Sequence, residues 1–252
     1  MIDIHAHILP GLDDGAQDIY DALEMANLAV ESGITEMIAT PHCNIPGMFR
    51  NYYDGDYKKV FQATEQVLKE EGVPLKLYPG VEVFMTPDVP SLLKEGKIRT
   101  LKGGHYILVE FGFDEDPDFA TDMLTKMRNL GLHPIVAHPE RYEFVQDTPQ
   151  IVYEWRKKKC LMQLNKSSLM GSFGKHAYRT AHQLLAHNLA SVIASDAHSP
   201  VRRTPYMLDV YDRLSEDYSE KYLKVLFEEN PKRICRDLPT LRFELKPFEE
   251  MW

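Results

Sequence analysis

HPIVAHPER, residues 133–141, carries the reading of the fold. Pro134 to Ala137 form a short apolar run, and His138, Glu140 and Arg141 crowd onto its C-terminal end. An apolar run of strand length without polar alternation suits a strand buried on both faces. The arrangement recurs along nearly the whole chain. IDIHAH places His5 and His7 at the end of the first run, IATPH places His42 after the second, and IASDAH places Asp196 and His198 after the last. Glu82 in YPGVEV and Glu110 in ILVEF lie in similar apolar settings. One polar strand end is ordinary. Six or seven in one chain point to residues converging on a single metal site.

Amphipathic stretches separate these runs. Strands are expected at 2–5, 34–40, 75–84 (interrupted at Pro79-Gly80), 105–111, 133–138, 160–165 and 191–196. Helices are expected at 18–32, 56–71, 118–130, 149–158, 174–188, 205–216 and 219–230. Asp18 can cap the first helix, and Gly33, Gly72 and Gly131 follow helices where a left-handed terminal residue is favoured. Strands alternating with helices give an α/β chain with a parallel sheet and outer helices. A barrel draws functional residues from many strand ends around one mouth, whereas an open sheet concentrates them at a switch point. Polar residues at nearly every strand end favour a (β/α) barrel, although seven strands is one short of the usual eight. The segment from 237 to Trp252 reads as an irregular tail, which leaves 1–236 as one domain.

The 252 residues are 44% hydrophobic and 27% charged, which fits one globular domain with a large core. A net charge of −9 argues against nucleic acid as the main partner, because backbone binding needs a basic face. Cys43, Cys160 and Cys235 are far apart and odd in number, which fits a reducing compartment better than a disulfide framework. The opening MIDIHAH has no signal-peptide pattern, and no run approaches the roughly 20 apolar residues of a membrane span. A soluble cytoplasmic protein is expected.

His5 and His7 are two apart, so on a strand both imidazoles face the same side, and Asp196 and His198 repeat that spacing. Asp13 and Asp14 follow in LPGLDDG, where an Asp-Asp-Gly turn is the simpler explanation. His105, His133, His176, His182 and His187 begin strands or lie on helices and are expected to be ordinary. Glu82 and Glu110 are harder to dismiss, since an unpaired carboxylate in an apolar strand is costly and a cation removes that cost. Imidazoles and carboxylates without thiolates suit Mn, Zn or Fe. The number of ligand-type residues exceeds what one ion takes, so two or three ions are expected, with Glu82 as the bridge. Arg141 lies three residues after His138 and Arg203 five after His198. Guanidinium groups bind phosphate oxygens in bidentate fashion, so this pair turns the expectation toward an anionic substrate.

Together, H-x-H at 5–7, IATPH at 38–42, HPER at 138–141 and SDAH at 195–198 resemble the PHP (polymerase and histidinol phosphatase) family. MIDIHAHILPGLDDGA, YPGVEVF, LVEF, IVAHPERY and SDAHS resemble more closely the capsule and exopolysaccharide tyrosine phosphatases of that superfamily, the CpsB/YwqE-like group. The likeness runs from Met1 to about residue 235; Lys166 and the residues around Pro200 depart from it. It implies a distorted (β/α)7 TIM-like barrel, which accounts for seven strands, and a trinuclear centre preferring manganese, with Fe, Zn or Mg as other ions of the same class. It implies His5, His7, Glu82 and Asp196 on one metal, Glu82, Glu110 and His138 on a second, and Asp14, His42 and His198 on a third. The choice of Asp14 over Asp13 comes from the family pattern alone. It also implies Arg141 and Arg203 on the substrate phosphate, and a phosphotyrosine protein as substrate, typically an autophosphorylating tyrosine kinase of polysaccharide export.

Three other readings compete. A cysteine phosphatase needs five residues between Cys and Arg, and six separate Cys43 from Arg50. Another PHP reaction, on histidinol phosphate or a nucleotide ester, would use the same ligands. A catalytically idle, metal-stabilised binding module would lack turnover altogether.

Overall fold

A computed structural model describes residues 1–248. Residues 249–252, the end of the expected tail, lie outside the described residues. The strands are β1 (Ile2–Ala6), β2 (Glu36–Ala39), β3 (His42–Cys43), β4 (Lys76–Pro79), β5 (Glu82–Phe84), β6 (Tyr106–Glu110), β7 (His133–Ala137), β8 (Leu161–Asn165) and β9 (Val192–Ala194). The helices are α1 (Ile19–Glu31), α2 (Gly55–Glu70), α3 (Val89–Lys94), α4 (Pro117–Asn129), α5 (Glu143–Asp147), α6 (Gln150–Lys157), α7 (Lys166–Leu169), α8 (Gly174–Ala186), α9 (Leu208–Ser215), α10 (Glu220–Lys224) and α11 (Asn230–Cys235). Every strand pairing is parallel, with orders β1-β2-β4 and β3-β5-β6-β7-β8-β9. The α/β class with parallel strands is therefore as expected.

The expected strand 75–84 is divided in two, and an unexpected short strand follows the expected strand 34–40. Pro41 has no N–H to give a ladder, so the run 34–40 ends as β2, and the chain pairs again beyond those bounds as β3. Pro79-Gly80 divides the other run into β4 and β5. The halves stay side by side, because Gly80 N–H donates to Ala39 O at 3.0 Å and Glu82 N–H to Pro41 O at 3.1 Å. Gly80 is needed there: a Cβ would meet the Ile38 side chain at 2.8 Å. β9 meets β1 through an Ala6–Ala197 bridge and through Asp196 N–H to His5 O at 2.9 Å. The ladders among the described residues thus form two sheets that touch rather than one continuous ring.

Alternation along the strands divides the core. Val83, Val109, Val136 and Leu164 join the larger cluster with the helices, while Leu108, Ile135 and Leu161 join a cluster on the opposite face. The second face continues to Glu110 on β6 and to Gln163 and Asn165 on β8, so the strands' C-terminal ends deliver polar groups to one place. Asp18 and Asp54 cap α1 and α2 by accepting N–H bonds of the first turn. The expected helix 219–230 becomes α10, a π turn at Val225–Glu229 and α11. Pro231 explains this, since its ring would strike the carbonyl four residues back in a regular helix, and a wider turn relieves it. Residues 237–248 have no regular secondary structure, as expected, yet they are fastened: Leu241 N–H donates to the Asn230 side chain at 2.7 Å, and Phe248 stacks on His187 at 4.0 Å. No described helix is long and apolar enough to cross a membrane.

Candidate metal centre

All nine residues expected as ligands come together at the strands' C-terminal ends. Glu82, fully buried on β5, sits at the centre. One carboxylate oxygen lies 3.3 Å from His5 Nε2 and 3.1 Å from His138 Nε2; the other lies 3.4 Å from His7 Nε2 and 3.0 Å from His42 Nδ1. Glu110 reaches His42 Nδ1 at 3.4 Å and His138 Nε2 at 3.6 Å. Asp196 Oδ1 is 3.4 Å from both His5 and His7 Nε2. Asp14 Oδ1 is 3.5 Å from His42 Nε2 and 3.5 Å from His198 Nε2. Three sets offer ligand atoms within 4.8 Å of one another: His7, Asp14, His42 and His198; His5, His7 and Asp196; and His42, Glu82 and Glu110. In this grouping His7 and His42 each belong to two sets, and His138 is held to the third through Glu82.

The donor atoms fit cations. Among the described residues, His42 Nδ1, Glu82 Oε2, Glu110 Oε2, His138 Nδ1, Asp196 Oδ1 and His198 Nε2 are buried without an aligned hydrogen-bond partner. Each such atom costs about 1–3 kcal/mol when left unsatisfied. Divalent ions among these oxygens and nitrogens would satisfy most of them together, and no thiol competes.

Residues outside the expected set fix the ring orientations. Gln163 commits its NH2 group to Leu164 O at 2.9 Å, so its carbonyl accepts from His5 Nδ1 at 2.8 Å and leaves His5 Nε2 facing the centre. Asp13 accepts from His7 Nδ1 at 2.6 Å and from His42 N–H at 2.8 Å, which likewise turns His7 Nε2 inward. Asp13 and Asp14 thereby separate: Asp13 is spent on holding His7, while Asp14 alone points at His42 and His198. Gly15 makes the turn feasible, because a Cβ there would lie 2.2 Å from His7 O. His198 Nδ1 donates to Asp196 O at 3.0 Å. Asn165 donates to Asp196 Oδ2, and Glu140 accepts Asn165 N–H at 2.9 Å. His138 and Asp196 hold left-handed backbone at φ 33° and 50°, as does Arg203 at 52°. Non-glycine residues persist there only where surrounding contacts over-determine them, as at functional sites.

Charge is balanced within the cluster. Burial disfavours the charged forms of Glu82 and Asp196, yet the adjoining histidines hold both carboxyls well below the usual range. Burial also opposes protonation of His42, but Glu82 beside it pushes it up to about 10. Burial and the charge of His7 hold His198 down at about 4. Protons thus act as counter-ions to the carboxylates, a role that a divalent ion takes over when it binds. Arg141 stacks between Phe113 at 4.6 Å and Phe173 at 4.2 Å, and reaches Asp196 at 3.8 Å. Arg203 donates to Asp196 Oδ2, and its buried Nε has no partner among the described residues. Both arginines line a mouth of about 220 Å³ together with Asp14, His42, Glu110 and His138. A larger hollow of about 710 Å³ beside Phe144 and Phe248 carries none of these groups.

His105, His133, His176, His182 and His187 stand outside the cluster, as expected. Gln163, Asn165, Phe113 and Phe173 were not expected; an amide in CLMQLN carries no signal of its own beyond being polar in an apolar strand. Cys43 is buried in the core rather than exposed at the mouth. Burial pushes its thiol up to about 12, that of Cys160 to about 11 and that of Cys235 to about 12. The native protein is therefore expected to resist iodoacetamide at pH 8, with turnover unchanged, measured by thiol titration and rate together. Because these thiols titrate near 9.0 when unfolded, their contribution to stability is full below that pH and is lost between about 9 and 12. Loss of turnover in step with alkylation of Cys43 would contradict this.

Comparison with known proteins matches residues 1–236 to the family model described as Capsular polysaccharide synthesis, CpsB/CapC. The chain is 34% identical over 247 residues to the tyrosine-protein phosphatase YwqE of Bacillus subtilis, covering 98% of this chain and 96% of that one. It is 30% identical over 242 residues to the tyrosine-protein phosphatase CpsB of Streptococcus pneumoniae, covering 94% and 99%. Among solved structures, work on YwqE from B. subtilis and CpsB from S. pneumoniae as unique metal-dependent tyrosine phosphatases provides a chain with a TM-score of 0.91 at 32% identity, covering 99% of this chain and 100% of that one. A lactonase from Listeria monocytogenes, 14% identical with a TM-score of 0.52 over 93% and 94%, shares the fold alone.

Proposed function

Because the chain belongs to the CpsB/CapC capsular polysaccharide synthesis family, we propose that its polar cluster is the active site of a metal-dependent protein-tyrosine phosphatase. The observation that carries this reading is the set of buried, unpartnered donor atoms beneath two arginines. His5, His7, Asp14, His42, Glu82, Glu110, His138, Asp196 and His198 would hold two or three divalent ions, with manganese the first choice. Bound ions supply Lewis-acid stabilisation of phosphoryl oxygens and an activated water. The ring-orienting contacts of Gln163 and Asp13 keep the imidazole Nε2 atoms available without rearrangement. Arg141, restrained by Phe113 and Phe173, and Arg203, with its spare Nε–H, would bind the equatorial phosphoryl oxygens as charge spreads over them. Water attacks phosphorus in line, the bond from phosphorus to the phenol oxygen breaks, and phosphate and tyrosine leave. With water as the direct nucleophile, no covalent enzyme intermediate is needed.

In the same reading the two touching sheets belong to a distorted (β/α)7 barrel. Support comes from the bonds between β9 and β1 and from the side-by-side halves of the divided strands. Residues 1–236 form the phosphatase domain and 237–252 a tail. The physiological substrate is an autophosphorylating tyrosine kinase that controls capsular or exopolysaccharide synthesis, met in the cytoplasm. A substrate profile tests the choice of ester. A phosphotyrosine peptide is expected to exceed histidinol phosphate and a nucleotide ester in kcat/KM. Strong preference for histidinol phosphate would move the chain to another PHP reaction, and turnover of none of them would leave a metal-stabilised binding module.

A further inference from the structure

Beside the mouth, across loop 44–50, lies a second hollow of about 410 Å³. Ile45 and Met48 line both, so a peptide leaving the mouth in that direction crosses only this loop. The loop is a braced partition. Asn44 N–H donates to Arg50 O at 3.1 Å, Ile45 N–H to Phe49 O at 2.8 Å, and Gly47 turns at φ 74°. Asn51 ties its far end to Leu12 O at 2.7 Å and His42 O at 2.9 Å. Ile45, Pro46 and Met48 make one side of the hollow apolar, and the other side is polar: Asn44 donates to Thr86 Oγ1 at 2.7 Å, and Tyr52 OH donates to Asn44 Oδ1 at 3.3 Å.

Its charge is the informative feature. Arg50 and Lys97 both converge on the Tyr52 ring, at 5.4 and 5.8 Å. Lys97 is paired with Glu95 at 2.6 Å, but the exposed Arg50 has no carboxylate within ion-pair distance among the described residues. Asp88 is the one carboxylate lining the hollow, and the Thr86 hydroxyl already donates to it. In a chain of net charge −9, an unpaired arginine at the polar side of a hollow next to a phosphate-binding mouth fits an anionic ligand group.

We propose that the Arg50 hollow is a second anionic subsite, which takes an acidic side chain flanking the scissile phosphotyrosine in an extended peptide. This rests on the phosphatase reading and adds the substrate's sequence preference to it. A glutamate or aspartate carboxylate and a second phosphotyrosine present the same chemistry to Arg50.

The test compares phosphotyrosine peptides that differ only in a flanking residue, Glu, Gln, Lys or phosphotyrosine, with p-nitrophenyl phosphate as a substrate too small to reach the hollow. Wild type should show a KM about two- to fivefold lower for the Glu peptide than for the Gln peptide, at similar kcat, the upper part of the range expected of an exposed ion pair. A still lower KM for the phosphotyrosine flank would identify phosphate as the preferred anion, and equal values would identify charge alone. R50A should abolish the difference and R50E should favour the Lys peptide, both with unchanged p-nitrophenyl phosphate kinetics. Indifference of wild type to the flanking charge, or a preference that survives in R50A, overturns the subsite while leaving the phosphatase intact. Failure of wild type to hydrolyse any of these esters overturns the phosphatase reading and the subsite with it.

Discussion

Glu82→Gln is expected to lower phosphotyrosine turnover by well over about 100-fold and to strip metal from the protein. Partners outside the immediate ligand shell already cost about 10–100-fold when removed, and Glu82 is nearer the centre than any of them. Its two oxygens face four histidines at 3.0–3.4 Å. The amide keeps the volume of the side chain but loses the charge that binds cations and the second acceptor oxygen. Circular dichroism should remain native, since the strand and its core neighbours are untouched, while bound metal by elemental analysis falls with kcat/KM. A variant with full metal content and near-wild-type turnover would remove Glu82 from the bridge.

Arg141→Ala should act differently. It donates no ligand atom, so metal content should stay at the wild-type level while kcat/KM falls about 100- to 1,000-fold, the range for deleting one donor to a charge-developing oxygen. Lysine should recover only part of the loss. The guanidinium carbon lies 4.6 Å from the Phe113 ring and 4.2 Å from the Phe173 ring, and an ammonium offers neither a stacking surface nor a bidentate fork. Intact activity with metal still bound would mean that Arg141 does not hold the phosphate.

The residues of the polar cluster were legible in the sequence because H-x-H, D-x-H and lone carboxylates in apolar runs violate the pattern of a buried strand. That violation is local, so a single chain displays it. The divided strands were half legible: Pro79-Gly80 announced one break, whereas Pro41 was read only as part of IATPH. Asp13 and Asp14 were indistinguishable by spacing, and packing separated them by aiming Asp13 at His7 Nδ1. Gln163, Asn165, Phe113 and Phe173 were invisible for a related reason. Their roles depend on which rings they meet across the fold, over separations such as the 158 residues between His5 and Gln163. The π turn before Pro231 needed the register of the whole C-terminal helix.

One measurement reaches the centre of this proposal. The protein is stripped with chelator, reloaded with increasing manganese, and bound metal and phosphotyrosine-peptide turnover are followed together in wild type and Cys43→Ser. Turnover should be absent without metal, rise with occupancy to a plateau at two to three ions per chain, and be the same in both proteins. Turnover that survives complete removal of metal, and disappears in Cys43→Ser, would contradict it.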